Sequence, residues 1–199
     1  TPADIRLIQN ADLLICNGGT MEQWVTQVLG SLDAPDLKVI TMMDYVDVVQ
    51  EEIVEGMEDS GDDHGHDHAH HDEEDDDHAD HDHDTEDHDH ADDDHAYEIE
   101  YDEHIWTSPV NAMKITQVIA DTLEEMDPAD AAVFRANEAD YLGKLKNLDQ
   151  EFRDVVDGAD LDLIVMADKF PLRYFADTYG LRYRAAFSGC SSDTEPSAK

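Results

Sequence analysis

The chain has 199 residues, with 51 acidic side chains against 12 basic ones and a formal net charge of −39 at pH 7. A field of that sign repels nucleic acid and anionic membrane surface and gathers cations, which excludes DNA or RNA binding as a first reading. Hydrophobic residues make up 40% of the chain, enough for a core, and the length fits one domain or two small ones.

Residues 2–10 (PADIRLIQN) predict a short helix, with Pro2 in its first turn and Ile5, Leu7 and Ile8 apolar. The continuous apolar run 11–16 (ADLLIC) has the pattern of a buried parallel strand. Asn17, Gly18 and Gly19 turn the chain, and Thr20 is placed to cap a helix carrying Met21, Trp24, Val25, Val28 and Leu29 at helical spacing. Residues 37–42 (LKVITM) form the next strand. Strand–helix–strand alternation of this kind predicts a parallel α/β sheet.

Beyond Val54 the pattern gives way to a tract that cannot build a core. The span from Glu58 to Glu103 holds 24 acidic residues, and no Lys or Arg occurs between Lys38 and Lys114. Eleven of the 12 histidines lie in it: His64, His66, His68, His70, His71, His78, His81, His83, His88, His90 and His95. The composition predicts disorder in the absence of metal. Imidazole nitrogen suits zinc, copper and nickel, and carboxylate oxygen accepts almost any divalent ion. An ordinary acidic linker uses Glu, Ser and Lys instead, so incidental histidines are a poor account. The H-x-H and H-H spacings suit exchangeable chelation of several ions instead of one rigid tetrahedral site, and the tract is read as a buffer, the competing reading being a sensor that collapses when metal neutralises it.

Order is expected again near Tyr97. Pro109 opens a helix to about Glu125, and Asp127-Pro128 starts a longer one whose stripe runs Phe134, Tyr141, Leu145, Leu148, Phe152 and Val155. Residues 161–166 (LDLIVM) predict a buried strand, Tyr174 to Tyr179 closes a helix, Gly180 stops it, and 181–187 form a last strand. Trp24, Trp106, Tyr174, Phe175 and Tyr179 are expected as core aromatics, with Glu22 on a solvated helix face. Cys16 and Cys190 are too far apart in sequence to form a thiolate metal pair and are expected as separate thiols.

Catalytic motifs are lacking: there is no G-x-S-x-G turn, no H-E-x-x-H and no glycine-rich phosphate loop, so an enzyme is not expected. His104 is the one histidine outside the tract, in the segment YDEHIWTSP. From the residues alone it is either a capping or packing residue at a helix start or a metal ligand.

The segment DEHIWTSPVNAMKITQVIADTLEEMDPADAAVFRANEADYLGKLKNLDQEF resembles the DPHxWLDPxNA…DPxNAxxYxxNAxxYxxxLxxLD stretch of the zinc/manganese solute-binding proteins, the metal-binding lipoproteins of ABC importers. ADLLICNGGTMEQWV is similar to their AD(L/V)xxxNGxxxExW segment, ADKFPLRYFADTYGL to the segment where a ligand precedes YFxxxYGL, and EPSAK to a later helix start. These pieces stand in the family's order over nearly the whole chain.

The resemblance implies an α/β fold of two lobes with parallel sheets: residues 1–126, carrying a disordered His/Asp-rich insertion at 56–100; a long rigid connecting helix, 127–158; and the start of a second lobe, 159–199. It implies one metal in the cleft between them. His104 matches the family's second histidine ligand. The first would precede Thr1, and the fourth, a carboxylate, would follow Lys199, so the chain is expected to be a fragment or a processed form. At the third position the sequence departs from the pattern, reading ADKFP, and Asp168 takes the role; its alternative is helix N-capping ahead of Pro171. The implied protein is an extracytoplasmic, membrane-tethered monomer that delivers a divalent metal to an ABC permease and its ATPase. The tract favours zinc. The carboxylate at Asp168 makes manganese the runner-up, ahead of a stand-alone metal-sequestering protein and then a metallohydrolase.

Overall fold

The computed structural model describes residues 1–52 and 101–189, all of them in one compact unit. The eleven tract histidines and Cys190 lie outside the described residues.

The chain opens on α1 (Pro2–Gln9), where Thr1 and Asp4 form a capping box that satisfies backbone N–H groups at both positions. Strand β1 (Leu13–Cys16) pairs in parallel with β2 (Lys38–Thr41), Leu13 opposite Lys38 and Cys16 opposite Thr41, with α2 (Gln23–Ser31) as the crossover. Two expectations are corrected here. Thr20 does not cap α2; it begins a 3-10 turn, Thr20–Glu22, and its hydroxyl is used elsewhere. Trp24 is 54% exposed and so is no core residue. Ile40 supplies the buried centre of this sheet, whereas Leu13 and Leu14 are half-buried and Ile15 is exposed.

Ser108 accepts a hydrogen bond from the Asn111 N–H and caps α3 (Pro109–Met126), with proline where no N–H is needed. Asp127-Pro128 forms a turn ahead of α4, which runs Ala131–Asp157. The predicted stripe on α4 is covered only in part. Leu145 is buried and Phe152 packs edge-on to Phe175 at 4.9 Å, but Tyr141, Leu148 and Val155 are exposed. At 27 residues α4 spans about 40 Å, while α3 has 18 residues and α5 seven, too little partner length to cover one whole face. Between α3 and α4 this leaves an open apolar groove of about 470 Å³ against Ile119, Leu123, Phe134 and Tyr141.

The second βαβ unit is β3 (Leu163–Phe170), α5 (Arg173–Tyr179) and β4 (Arg182–Ser188), again parallel. Gly180 ends α5 in the left-handed conformation, φ 66°, as a glycine stop should. Phe170, Ala176, Tyr183 and Ala185 form its core, Phe170 and Tyr183 stacking at 3.9 Å. A second cluster, Ile105, Ile115 and Tyr174 with Met42, Met43, Val46 and Val49, joins α5 to α3 and to the segment after β2. Tyr174 and Tyr179 are core aromatics as expected; Trp106, 54% exposed, is not. In β3 the register slips between Met166 and Lys169, where Ala167 and Asp168 together face the single residue Ala186, a β-bulge. The mixed α/β architecture with parallel sheets and a long intervening helix is the one expected.

Candidate metal centre

Parallel strands end in loops at their carboxyl edge, and the residues that meet there are where an α/β protein places its ligands. After β1 the chain passes through Asn17-Gly18-Gly19, with both glycines at positive φ, 94° and 88°. A Cβ on Gly18 would lie 2.6 Å from Thr41 Cγ2, and one on Gly19 only 2.3 Å from the carboxyl carbon of Glu103. Gly19 therefore leaves room for the Glu103 side chain, and Gly18 for Thr41 at the end of β2. Glu103, 4% exposed, accepts hydrogen bonds at Oε1 from the Thr20 hydroxyl (2.9 Å) and the Met21 N–H (3.0 Å). The Asn17 amide donates to the Glu103 carbonyl at 2.9 Å, and Glu22, instead of facing solvent, accepts the Gly18 N–H at 2.9 Å. The first βαβ unit thus grips the backbone immediately before His104.

Asp102, 2% exposed, has its own N–H tied to the Val49 carbonyl at 2.9 Å. Its Oδ1 accepts the His104 N–H at 2.8 Å and faces His104 Nδ1 at 3.1 Å. With Nδ1–H donated to the carboxylate, Nε2 carries the lone pair, the arrangement in which a metal-ligating histidine is held by a carboxylate behind it. The hydrogen bond to Asp102 raises the His104 pKa above its ordinary 6.5; burial pulls it back in part, and the charges of Asp102, Glu51 and Glu103 add to the rise. The ring stands 5.6 Å from that of Trp106, which is thereby placed as an optical reporter of this imidazole.

The second βαβ unit reaches the same place. At the end of β4, a Cβ on Gly189 would lie 2.8 Å from the Phe170 carbonyl oxygen, 3.1 Å from Asp102 Oδ2 and 3.3 Å from His104 Cε1. The carboxyl ends of β3 and β4 therefore converge on the Asp102–His104 pair. A cavity of about 10 Å³ lies beside it, lined by Glu51, Glu52, Asp102, Phe170, Arg173 and Tyr183.

Asp168 sits in the bulge of β3, exposed, with Oδ1 accepting the Lys169 N–H at 2.8 Å. It does not cap α5, whose N-terminal flanking residue is Leu172, so that alternative is corrected. Among the described residues no group of three or more His, Cys, Asp or Glu side chains is gathered closely enough to hold a metal ion. Cys16 is a free thiol, 3.5 Å from the Ile40 carbonyl. The buried carboxylates Asp102 and Glu103 were not singled out from sequence; the readable signal was the D-x-H spacing, which lets a carboxylate turn back on the imidazole two residues later.

Two parallel βαβ units meeting at a carboxylate-anchored imidazole define an α/β protein with the Asp102–His104 pair at its strand ends. The chain belongs to the family described as zinc-uptake complex component A, periplasmic, which matches residues 1–199. The zinc-binding lipoprotein AdcA of Streptococcus pneumoniae R6 is 31% identical over 192 residues, 96% of this chain and 32% of that protein. The high-affinity zinc uptake system protein ZnuA of Bacillus subtilis 168 is 30% identical over 199 residues, all of this chain and 52% of that protein. The crystal structure of the Zn(II)-bound ZnuA-like domain of S. pneumoniae AdcA superposes with a TM-score of 0.63 at 25% identity, covering all of this chain and 56% of that one. The chain thus spans about half or less of the length of these relatives.

Proposed function

We propose that the chain is part of an extracytoplasmic substrate-binding protein that captures zinc and passes it to an ABC permease and its ATPase. The observation that carries this reading is the buried Asp102 carboxylate facing His104 Nδ1 at 3.1 Å, beside the ends of β3 and β4, where a Cβ on Gly189 would lie 3.3 Å from His104 Cε1. The zinc named in the relatives' own descriptions agrees with the imidazole chemistry. His104 is one ligand. Asp168 is a second, an exposed carboxylate in a bulge, and bulges commonly re-aim side chains next to binding sites. The lobes are residues 1–126 and 159–199, with 127–158 between them, and release follows docking of both on the permease. The site binds and delivers without turnover. The tract histidines, His64 to His95, act as an accessory buffer that raises the local zinc concentration.

Calorimetry with zinc on the full chain, on His104→Ala and on a chain lacking residues 56–100 tests the reading. Loss of the tract is expected to lower the number of ions bound while keeping the tightest class of binding; His104→Ala is expected to do the reverse. Equal stoichiometry with and without the tract refutes the buffer, and an unchanged tight class in His104→Ala refutes the site.

A further inference from the structure

Asp102 orients His104, but a buried carboxylate two residues away on a loop must itself be held. The strand segments on either side of the tract meet here: Gln50 and Tyr101 form an antiparallel bridge, and the Asp102 N–H bonds to the Val49 carbonyl at 2.9 Å. One side chain from the second βαβ unit spans this stem. The Tyr174 hydroxyl, on the first turn of α5, donates to the Asp102 carbonyl at 2.6 Å and accepts the Val49 N–H at 3.3 Å. Its ring is 3% exposed and packs with Ile105, the residue after His104, and with Ile115 of α3.

Its neighbour reinforces the grip. Arg173 pairs with Glu52 on the same stem, donates to the Tyr183 hydroxyl at 2.7 Å and lies 3.3 Å from Asp177. The guanidinium is thus fixed between the stem and β4, beside the cavity that Asp102 also lines.

We propose that Tyr174, supported by Arg173, is a positioning residue of the metal site, fixing Asp102 and through it the His104 ring, so that α5 reports its own position to the ligand. The inference rests on His104 being a zinc ligand. Tyr174 touches no metal; it acts through the Asp102 backbone. If the hydroxyl is removed, the Asp102 carbonyl and the Val49 N–H lose a shared partner in a buried setting, and the carboxylate is free to shift from Nδ1. Losing an outer partner of a ligating histidine weakens metal binding by about 10- to 100-fold.

The test is a zinc titration of the full chain in a Trp24→Phe background, followed by the fluorescence of Trp106, which is then the sole tryptophan and stands 5.6 Å from the His104 ring. Tyr174→Phe is expected to weaken the zinc affinity at this site by about tenfold. Arg173→Lys, which keeps the charge but not the planar fork, is expected to weaken it less and serves where Tyr174→Phe does not fold. The control is Tyr179→Phe on the same helix, which loses a comparable bond to Asp149 (3.0 Å) away from the site. It is expected to lower the melting temperature and leave the zinc affinity unchanged. An affinity for Tyr174→Phe within about twofold of the parent, or an equal loss in Tyr179→Phe, overturns the inference. In the same assay, a titration unaltered by His104→Ala overturns the ligand assignment, and the positioning role with it. If His104→Ala abolishes the signal while Tyr174→Phe preserves it, the positioning role alone fails.

Discussion

Asp102→Asn isolates the charge behind His104 from its shape. Asparagine is the same size, and its Oδ1 still accepts the His104 N–H and Nδ1–H now received at 2.8 and 3.1 Å. What disappears is the negative charge, and charge-assisted hydrogen bonds are roughly twice as strong as neutral ones. Taking about 1.5–3 kcal/mol for a bond to a charged group and about 1 kcal/mol for a neutral one, the imidazole becomes a poorer donor of electron density by about 0.5–2 kcal/mol. A change of 1.4 kcal/mol is tenfold in affinity, so zinc binding at His104 should weaken by about 10-fold, and by up to about 30-fold at the upper end. Asp102 is 2% exposed, so bulk water supplies little screening in compensation. The assay is competition with a chelator of known affinity, read from Trp106 in the Trp24→Phe background. An Asp102→Asn protein that folds normally and binds zinc as tightly as its parent would show that the carboxylate does not tune the ligand.

Gly19→Ala should lower unfolding stability by about 3 kcal/mol or more: the backbone conformation alone costs about 1–3 kcal/mol for a residue with a side chain. The new Cβ also displaces the Glu103 carboxylate from Thr20 and Met21, which a thermal melt should register. NMR of the metal-free chain should place the His104 titration above 6.5 because of its hydrogen bond to Asp102. A folded pKa raised in this way means that the pair contributes stability fully present below 6.5 and lost as pH rises through the higher folded value. Since zinc needs the neutral ring, capture at His104 should fail on acidification at a higher pH than for a free imidazole. A midpoint at or below 6.5 contradicts this. Asp168→Asn should weaken the tight class of zinc binding if the bulge carboxylate is a ligand, and an unchanged isotherm assigns Asp168 to solvent.

The apolar runs 11–16 and 161–166, the glycine pair and the first-turn prolines Pro2 and Pro109 made the elements readable, because each depends on local backbone preference or on period; the burial expected of 161–166 was not, since Leu161 and Val165 are 77% and 71% exposed. The histidine and carboxylate chemistry was readable for the same reason, since residue type alone decides which ions a chain attracts. Exposure on α4 was not readable: Tyr141 and Val155 repeat at the right interval, yet covering them needs a partner helix as long as α4. Thr20 had the right type for a cap, but the tertiary fold diverted its hydroxyl to Glu103, 83 residues away.

Composition and spacing, by themselves, determined that this chain gathers metal-ligating residue types in one acidic tract, alternates parallel strands with helices and has a single histidine, His104, outside that tract. Only the tertiary structure decided what surrounds that histidine. The Asp102–Tyr174 and Asn17–Glu103 contacts join segments 72 and 86 residues apart. Their existence depends on two βαβ units closing on one loop, a juxtaposition that no local pattern encodes. The tract is written in the sequence, and long-range packing sets the orientation of the one imidazole outside it.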